Sequence, residues 1–218
     1  MGHPKQAVGL TFDIEAMRFA SAQSWQAIER MAAAFLPGMR ESEAARLGTQ
    51  ILFDLGMERI WHPTHVRFGA NTMKTFKERS ENDPVLGEDD IYFIDIGPVF
   101  GGHEGDVGAT FTTGSDPDKR ACARAVKTLF DTVRAAWLAQ GLSGPALYDF
   151  AAAEAQRMGW VLNLDIKGHR VSDFPHAVYK AGSLGAYDGR PDPGIWVLEI
   201  QIAHPSRAYV AFYEDVLI

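Results

Sequence analysis

The chain has 218 residues and 46% of them are hydrophobic, so it can bury a sizeable core. Its formal net charge of -7, without a basic stripe, argues against a nucleic-acid-binding protein. No apolar run reaches the roughly 18 residues of a membrane span, and the N-terminal segment lacks the pattern of a secretory signal. The single cysteine, Cys122, cannot form an internal disulfide, which fits a reducing compartment. We therefore expect one cytoplasmic domain over residues 1–218, with no membrane or nucleic-acid partner.

The first half of the chain predicts two helices followed by a hairpin. Apolar residues recur at helical spacing over residues 13–36. Ser42 is expected to cap a second helix that ends at Gly56. Residues 58–68 are predicted to be extended, and a polar loop follows to about residue 90. Residues 91–97 predict a strand, residues 100–102 a turn, and residues 105–113 the returning strand.

The second half predicts two more helices and then short strands. Residues 116–118 (Asp-Pro-Asp) open a helix to about residue 140, and Gly144-Pro145 open another that ends before Gly159. Short extended segments separated by turns fill the chain from Trp160 onward. The order of helices and strands predicts an α+β fold.

Three carboxylates interrupt apolar strands. Asp95 lies in IYFIDIG, Glu199 in IWVLEIQI and Glu214 in AYVAFYEDVLI. A lone acid in a strand more often faces solvent, but here both faces around Asp95 and Glu199 are otherwise apolar. Burying an unpaired carboxylate is costly. The basic residues near them in sequence are few: Lys167, Arg170 and Arg207. A divalent cation is the simplest source of the missing positive charge.

Two further residues extend this candidate metal site. Asp106 follows Asp95 by eleven residues on the returning strand. Paired strands bring Cβ atoms to about 5 Å, so both carboxylates could bind one ion. His169 adds an imidazole, although a lone histidine is more often structural than a ligand. Four carboxylates and one imidazole suit manganese, cobalt, iron or zinc, and their charge matches two ions better than one.

The motifs resemble those of the pita-bread metallohydrolases, which include methionine aminopeptidases, aminopeptidase P, prolidase and creatinase. FIDIGPVFGGHEGD keeps that family's separation of Asp95 from Asp106, and GHRVSDFPH keeps seven residues between His169 and His176. VLEIQI and FYEDVLI supply the last two ligands, Glu199 and Glu214. The resemblance spans essentially the whole chain. It implies a curved antiparallel sheet flanked by two pairs of helices.

The resemblance also implies how the ligands are shared between two divalent ions. Asp95 would bind one ion, Asp106 and Glu214 would bridge both, and the other ion would take the remaining two ligands, His169 and Glu199. Water activated between the ions would attack an amide carbonyl. His176 would lie outside the metal ligands and contact the substrate carbonyl or the leaving nitrogen. The alternative for His176 is a surface imidazole in the turn after Pro175.

The region before the first ligand departs from the family pattern. FGANTMKTF resembles the family's Gly-x-Asn loop, but Phe76 stands near the place where a substrate-binding histidine is expected. His62 or His65 could take its place, and we take His65 as the candidate. His103 and Glu104, in the hairpin turn, either line the entrance to the site or are exposed loop residues.

Other departures concern the neighbours of the ligands. Arg170 follows His169, where it could bind a carboxylate of the substrate or fill the pocket. Ser172 replaces a glycine of the family pattern, and Ala177 replaces an acid. Ile200 stands where a proline often follows the ligand, and Gly108 stands where a threonine is usual. The metal ligands are therefore kept while the residues expected to touch substrate differ.

These observations favour a dinuclear metal-dependent aminopeptidase of the Xaa-Pro aminopeptidase or prolidase type that cleaves short peptides. A non-peptide C–N hydrolase of the creatinase type is an alternative, because the neighbours of the ligands differ from the family pattern and because Arg170 lies beside the site. A catalytically silent binding module is a third, although all five ligands are present. The chain would act as a stand-alone catalytic unit, or a homodimer partner would close its pocket.

Overall fold

The computed structural model describes residues 3–75, 77–176 and 182–218. Its α-helices are α1 (Ile14–Ala34), α2 (Glu41–Asp54), α3 (Pro117–Gln140) and α4 (Gly144–Arg157). Its longer strands are β1 (Arg59–Phe68), β2 (Ile91–Phe100), β4 (Val107–Thr112), β7 (Trp196–Ala203) and β8 (Val210–Val216). Three two-residue strands complete the sheet: β3 (His103–Glu104), β5 (Val161–Leu162) and β6 (His169–Arg170). The α+β prediction is confirmed.

The helices begin and end close to the predicted residues. Asp13 caps α1 by accepting a hydrogen bond from the Ala16 amide at 2.9 Å. Gly141 ends α3 in the left-handed conformation, at φ +65°. No helix in the described ranges is long and apolar enough to cross a membrane.

The predicted cap of α2 is wrong. Arg40 holds the N-cap position, and its amide donates to the Glu43 carboxylate at 2.9 Å. Ser42 lies one residue inside the helix, where its amide and hydroxyl both donate to the Asp83 carboxylate, each at 2.9 Å. Asp83, in the loop before β2, therefore binds Ser42 from outside the helix. A local capping pattern does not reveal this tertiary contact.

The strands form one antiparallel sheet in the order β1-β2-β4-β8-β7-β5, with β3 paired to β2 and β6 paired to β7. The predicted hairpin is more complex than expected. Strand β2 continues to Phe100, and β3 pairs antiparallel with its end. Gly105 and Asp106 then separate β3 from β4. Asp106 therefore lies immediately before β4 rather than within a returning strand.

One face of the sheet carries both helix pairs. Helices α1 and α2 pack against Tyr92, Ile94 and Ile96 of β2, while α3 and α4 pack against Leu198 and Ile200 of β7. Because side chains alternate along a strand, the residues between these apolar positions point to the opposite face. The acids that interrupt β2 and β7 therefore lie on the face away from the helices.

Candidate metal centre

The sheet places three carboxylates in one row across four strands. Asp95 of β2 pairs with Gly108 of β4, Gly108 pairs with Glu214 of β8, and Glu214 pairs with Glu199 of β7. Gly108 leaves the middle of this row open. A Cβ there would lie 2.7 Å from Phe212 Cε1 and 3.1 Å from Glu214 Oε1. The missing side chain at Gly108 thus makes room for the carboxylate of Glu214.

Asp106 and His169 lie beside this row and close to each other. Asp106 is 1% exposed, and its Oδ2 lies 3.2 Å from His169 Nε2. His169 lies on β6, paired with Val197, two residues before Glu199. Its Nδ1 contacts the Arg170 carbonyl oxygen at 2.9 Å, which fixes the ring and leaves Nε2 facing Asp106. All five predicted ligands therefore converge on one region.

The ligand atoms are close enough to bind ions. The described residues contain three groups of possible metal ligands, and the donor atoms within each group lie within 4.8 Å of one another. The groups are His62, Asp95 and Asp106; Asp106, His169 and His176; and His169, Glu199 and Glu214. The shared members, Asp106 and His169, connect the groups into one cluster.

The carboxylates repel one another in the absence of cations. Burial raises the pKa of Glu214 well above its ordinary value, and Asp106, Asp95 and Glu199 raise it further. Burial, with smaller contributions from Asp106 and Asp95, raises the pKa of Glu199 despite the opposing influence of His169. These shifts are the electrostatic cost of placing several acids together in a buried site.

Imidazoles offset part of this cost. Burial would raise the pKa of Asp106, but His62 and His169 hold it well below its ordinary value. Burial would lower the pKa of His169, yet Asp106 and then Glu199 raise it to about 10. The site thus attracts positive charge strongly enough to protonate its own histidines.

Two buried carboxylate oxygens indicate whether cations fit this site. Asp106 Oδ2 and Glu214 Oε1 are inaccessible to solvent and accept no hydrogen bond from the residues that the structure describes. A buried acceptor without a partner is destabilising. A divalent ion would satisfy both oxygens and the excess negative charge, so this donor set fits metal ions.

His62 is the residue that sequence reasoning undervalued. The sequence indicates it only as a possible substitute for the substrate-binding histidine. Its Nε2 lies 2.8 Å from Asp106 Oδ1 and 3.3 Å from Asp95 Oδ1. Burial would lower the pKa of His62, but Asp95 and Asp106 raise it to about 10. The pairing of β1 with β2 creates these contacts, and no spacing motif in the sequence indicates them.

His65 lies directly opposite Asp95 on β1 and packs its ring nearly parallel to His62, with 5.9 Å between centroids. Burial lowers its pKa, and the opposing influence of Asp95 is smaller. It is not a member of the three donor groups among the described residues. The structure therefore places His65 beside the cluster as a weakly basic imidazole.

Of the two alternatives for His103 and Glu104, exposure in a loop is wrong, because both residues are buried. Glu104 accepts hydrogen bonds from the His176 amide at 2.9 Å and from His176 Nδ1 at 2.8 Å. His103 accepts a hydrogen bond from the Asp13 amide at 2.9 Å. His176 Nδ1 also lies 3.5 Å from Asp106 Oδ2, so His176 adjoins the cluster rather than the surface. Strand β3 carries Glu104 inward to hold this imidazole.

The expected role of Arg170 is also wrong. Its guanidinium points away from the cluster and donates to the carbonyl oxygens of Ile195, Lys5 and Ala7 at 2.7–3.0 Å. It also lies over the Trp196 ring, 5.3 Å from the centroid. Successive residues of a strand face opposite sides, so Arg170 packs behind the site that His169 faces. The departures noted at Phe76 and Ala177 lie outside the described residues.

A model of metallopeptidase family M24 matches residues 15–192. The chain belongs to this family. Three similar solved structures are a prolidase from Pyrococcus furiosus, an X-Pro aminopeptidase from Thermotoga maritima and a methionine aminopeptidase from Thermotoga maritima. No curated protein sequence matches this member of the family.

These neighbours share the fold at low identity. The prolidase is 18% identical with a TM-score of 0.78, over 97% of this chain and 62% of that one. The X-Pro aminopeptidase is 18% identical with a TM-score of 0.76, over 94% of this chain and 60% of that one. The methionine aminopeptidase is 16% identical with a TM-score of 0.75, over 99% of this chain and 97% of that one. The chain thus has the pita-bread fold and spans about three fifths of the length of the first two neighbours.

Proposed function

We propose that this M24 family member is a dinuclear metal-dependent hydrolase, with residues 1–218 as its catalytic domain. The observation that supports it best is the pair of buried carboxylate oxygens, Asp106 Oδ2 and Glu214 Oε1, that accept no hydrogen bond from the described residues. They lie among further acids that share one row of the sheet. The proposed ligands are Asp95, Asp106, His169, Glu199 and Glu214.

The arrangement supports a division of these ligands between two ions. Asp106 and Glu214 occupy the middle of the cluster and are the proposed bridging ligands. Asp95 lies on one side of them, whereas the other side holds His169 and Glu199. Manganese, cobalt, zinc and iron all accept such mixed oxygen and nitrogen donors.

Two divalent cations bound here would supply Lewis-acid chemistry, activating water as a nucleophile and stabilising negative charge on an amide carbonyl oxygen. The protein's own groups would orient the substrate and move protons. Glu104 holds His176 through Nδ1, which leaves Nε2 for the substrate carbonyl or the leaving nitrogen. His65, beside Asp95, is the proposed second substrate contact.

The proposed substrates are short peptides, cleaved at the N-terminal residue or at an Xaa-Pro bond. Membership of a metallopeptidase family and the aminopeptidase and prolidase neighbours support this choice. The creatinase-type alternative loses one of its two grounds, because Arg170 faces away from the site.

The test compares metal-free protein with protein loaded with manganese or cobalt. Each form is assayed against Met-, Ala- and Xaa-Pro dipeptides. We expect turnover only in the loaded protein, and none in Asp106→Asn. Asp149→Asn, which makes the same change on the exposed surface of α4, is the control and should retain activity. Failure of loaded protein to cleave any of these peptides would contradict the peptidase assignment.

A further inference from the structure

We propose that His62 is an additional protein ligand, which binds the ion held by Asp95 and Asp106 through Nε2. The proposal rests on the dinuclear site proposed above and deepens it. That ligand set supplies only oxygen atoms to the Asp95 side of the cluster. His62 would add a nitrogen donor there, so that each ion has one imidazole.

The distances match those between ligands of one ion. His62 Nε2 lies 2.8 Å from Asp106 Oδ1 and 3.3 Å from Asp95 Oδ1. Ligand atoms bound at about 2.0–2.2 Å and at right angles to each other lie about 3 Å apart. Both carboxylate oxygens therefore lie at ligand spacing from Nε2, and the three residues have donor atoms within 4.8 Å of one another.

The imidazole is fixed in this orientation from its other side. His62 Nδ1 contacts the Pro63 carbonyl oxygen at 2.9 Å. A hydrogen bond from Nδ1 to a backbone carbonyl is the usual way to orient a metal-binding histidine, because it leaves the Nε2 lone pair for the ion. His169 shows the same arrangement, with Nδ1 on the Arg170 carbonyl oxygen at 2.9 Å. The two imidazoles are thus held alike on the two sides of the cluster.

Gly97 of β2 provides the space that the His62 ring occupies. The two residues are partners in the β1–β2 register. A Cβ at Gly97 would lie 2.1 Å from His62 Cδ2 and 2.5 Å from Nε2. Any other residue at Gly97 would therefore displace the ring from the two aspartates. The close approach gives a second way to test the proposal without removing the imidazole.

A nitrogen donor predicts which metals the site prefers. Imidazole favours cobalt, zinc and iron, whereas carboxylate and water favour manganese and magnesium. We therefore expect His62→Ala to weaken cobalt binding at one of two sites by at least about ten-fold, and manganese binding by less. His62→Gln, which keeps the size of the side chain, should also lose the nitrogen-dependent part of the cobalt affinity.

The experiment titrates metal-free full-length protein with cobalt and then with manganese. It follows heat release and the visible absorption of bound cobalt, neither of which depends on turnover. His204→Ala removes an imidazole from the turn before β8 and serves as the control. The expected result is two cobalt ions in wild type and in His204→Ala. In His62→Ala one of the two sites should be weakened and its cobalt spectrum changed.

Gly97→Ala is the second variant. It should reproduce the weakened site when His62 is present and add little in the His62→Ala background, because both changes remove the same contact. Unchanged or tighter cobalt binding in His62→Ala, with wild type still binding two ions, would overturn the role of His62 alone. Tighter binding would mean that the imidazole competes with the ion. Absence of cobalt binding in wild type would overturn the dinuclear site as well.

Discussion

Glu199 on β7 lies directly opposite Glu214 on β8. Like charges at directly opposite positions destabilise a strand pair, and burial of both side chains increases that cost. Burial is the largest cause of the raised pKa of both carboxyls, and Glu199 contributes to that of Glu214. The sheet therefore places an unfavourable charge pair where a cation would make it favourable.

Glu214→Gln should change stability in opposite directions with and without metal. Without metal, loss of one charge relieves repulsion and should raise the melting temperature. With metal, the wild-type protein gains about 2.7 kcal/mol at a hundred-fold excess over Kd, and the variant should lose most of this gain. Thermal melts in chelator and in cobalt measure both effects. A variant that melts below wild type in chelator would contradict the repulsion.

Asp215→Asn is the matched control on the adjacent residue. Asp215 faces α1, where it accepts hydrogen bonds from Ser21 Oγ at 3.1 Å and Trp25 Nε1 at 2.9 Å. Loss of a buried acceptor should lower stability by about 1–3 kcal/mol in chelator and in metal alike. The metal-dependent gain should be unchanged, because Asp215 lies on the opposite face of the sheet from Glu214.

The metal-free protein should lose stability as pH rises. The pKa values of His62 and His169 are raised from 6.5 to about 10, because nearby acids outweigh burial. A raised folded-state pKa contributes stability that is fully present below pH 6.5 and is lost as pH rises through about 10. Melts in chelator across this interval should show the decline. With metal bound, the decline in stability should be smaller, because the proposed ligands have already lost their protons. A flat profile in chelator would show that the imidazoles are not charged.

The sequence predicts the fold and the convergence of the five proposed metal ligands for identifiable reasons. The helices carry strong apolar periodicity and polar caps, as Asp13 shows for α1. Asp95 and Glu199 stand out because they interrupt runs that are otherwise apolar on both faces. These signals are local, so they can be recognised in a single sequence.

The residues around the ligands are set by long-range pairing, which a single sequence does not reveal. His62 reaches Asp106 across the β1–β2 pair, over a separation of 44 residues. Glu104 contacts His176 over 72 residues because the short strand β3 turns it inward. The wrong expectation for Arg170 has another cause: β6 is a strand of two residues, too short to be recognised as a strand from the sequence.

Gly108→Ala should disturb the centre of the carboxylate row. The new Cβ would lie 2.7 Å from Phe212 Cε1 and 3.1 Å from Glu214 Oε1. Overpacking of this kind costs about 1–3 kcal/mol, and the shifted Glu214 should weaken metal binding. Combining it with Phe212→Leu should restore stability, because the leucine removes the ring that the Cβ meets. Equal stability of Gly108→Ala and wild type would show that this space is not needed.

Glu104→Gln should slow catalysis without abolishing metal binding. The carboxylate orients His176 through Nδ1, and an amide binds that ring more weakly. We expect kcat to fall at least about ten-fold while two cobalt ions still bind. A changed pH profile of kcat would separate this positioning role from a structural one. An unchanged kcat would contradict the positioning role of Glu104.

Anomalous X-ray diffraction from crystals of the cobalt-loaded protein tests the dinuclear site most directly. We predict two peaks about 3.5–4 Å apart, as in other two-metal sites. They should lie between the carboxylates of Asp95, Asp106, Glu199 and Glu214, and one should be absent or reduced in Asp106→Asn. A single peak, or cobalt bound only elsewhere on the chain, would contradict the dinuclear assignment.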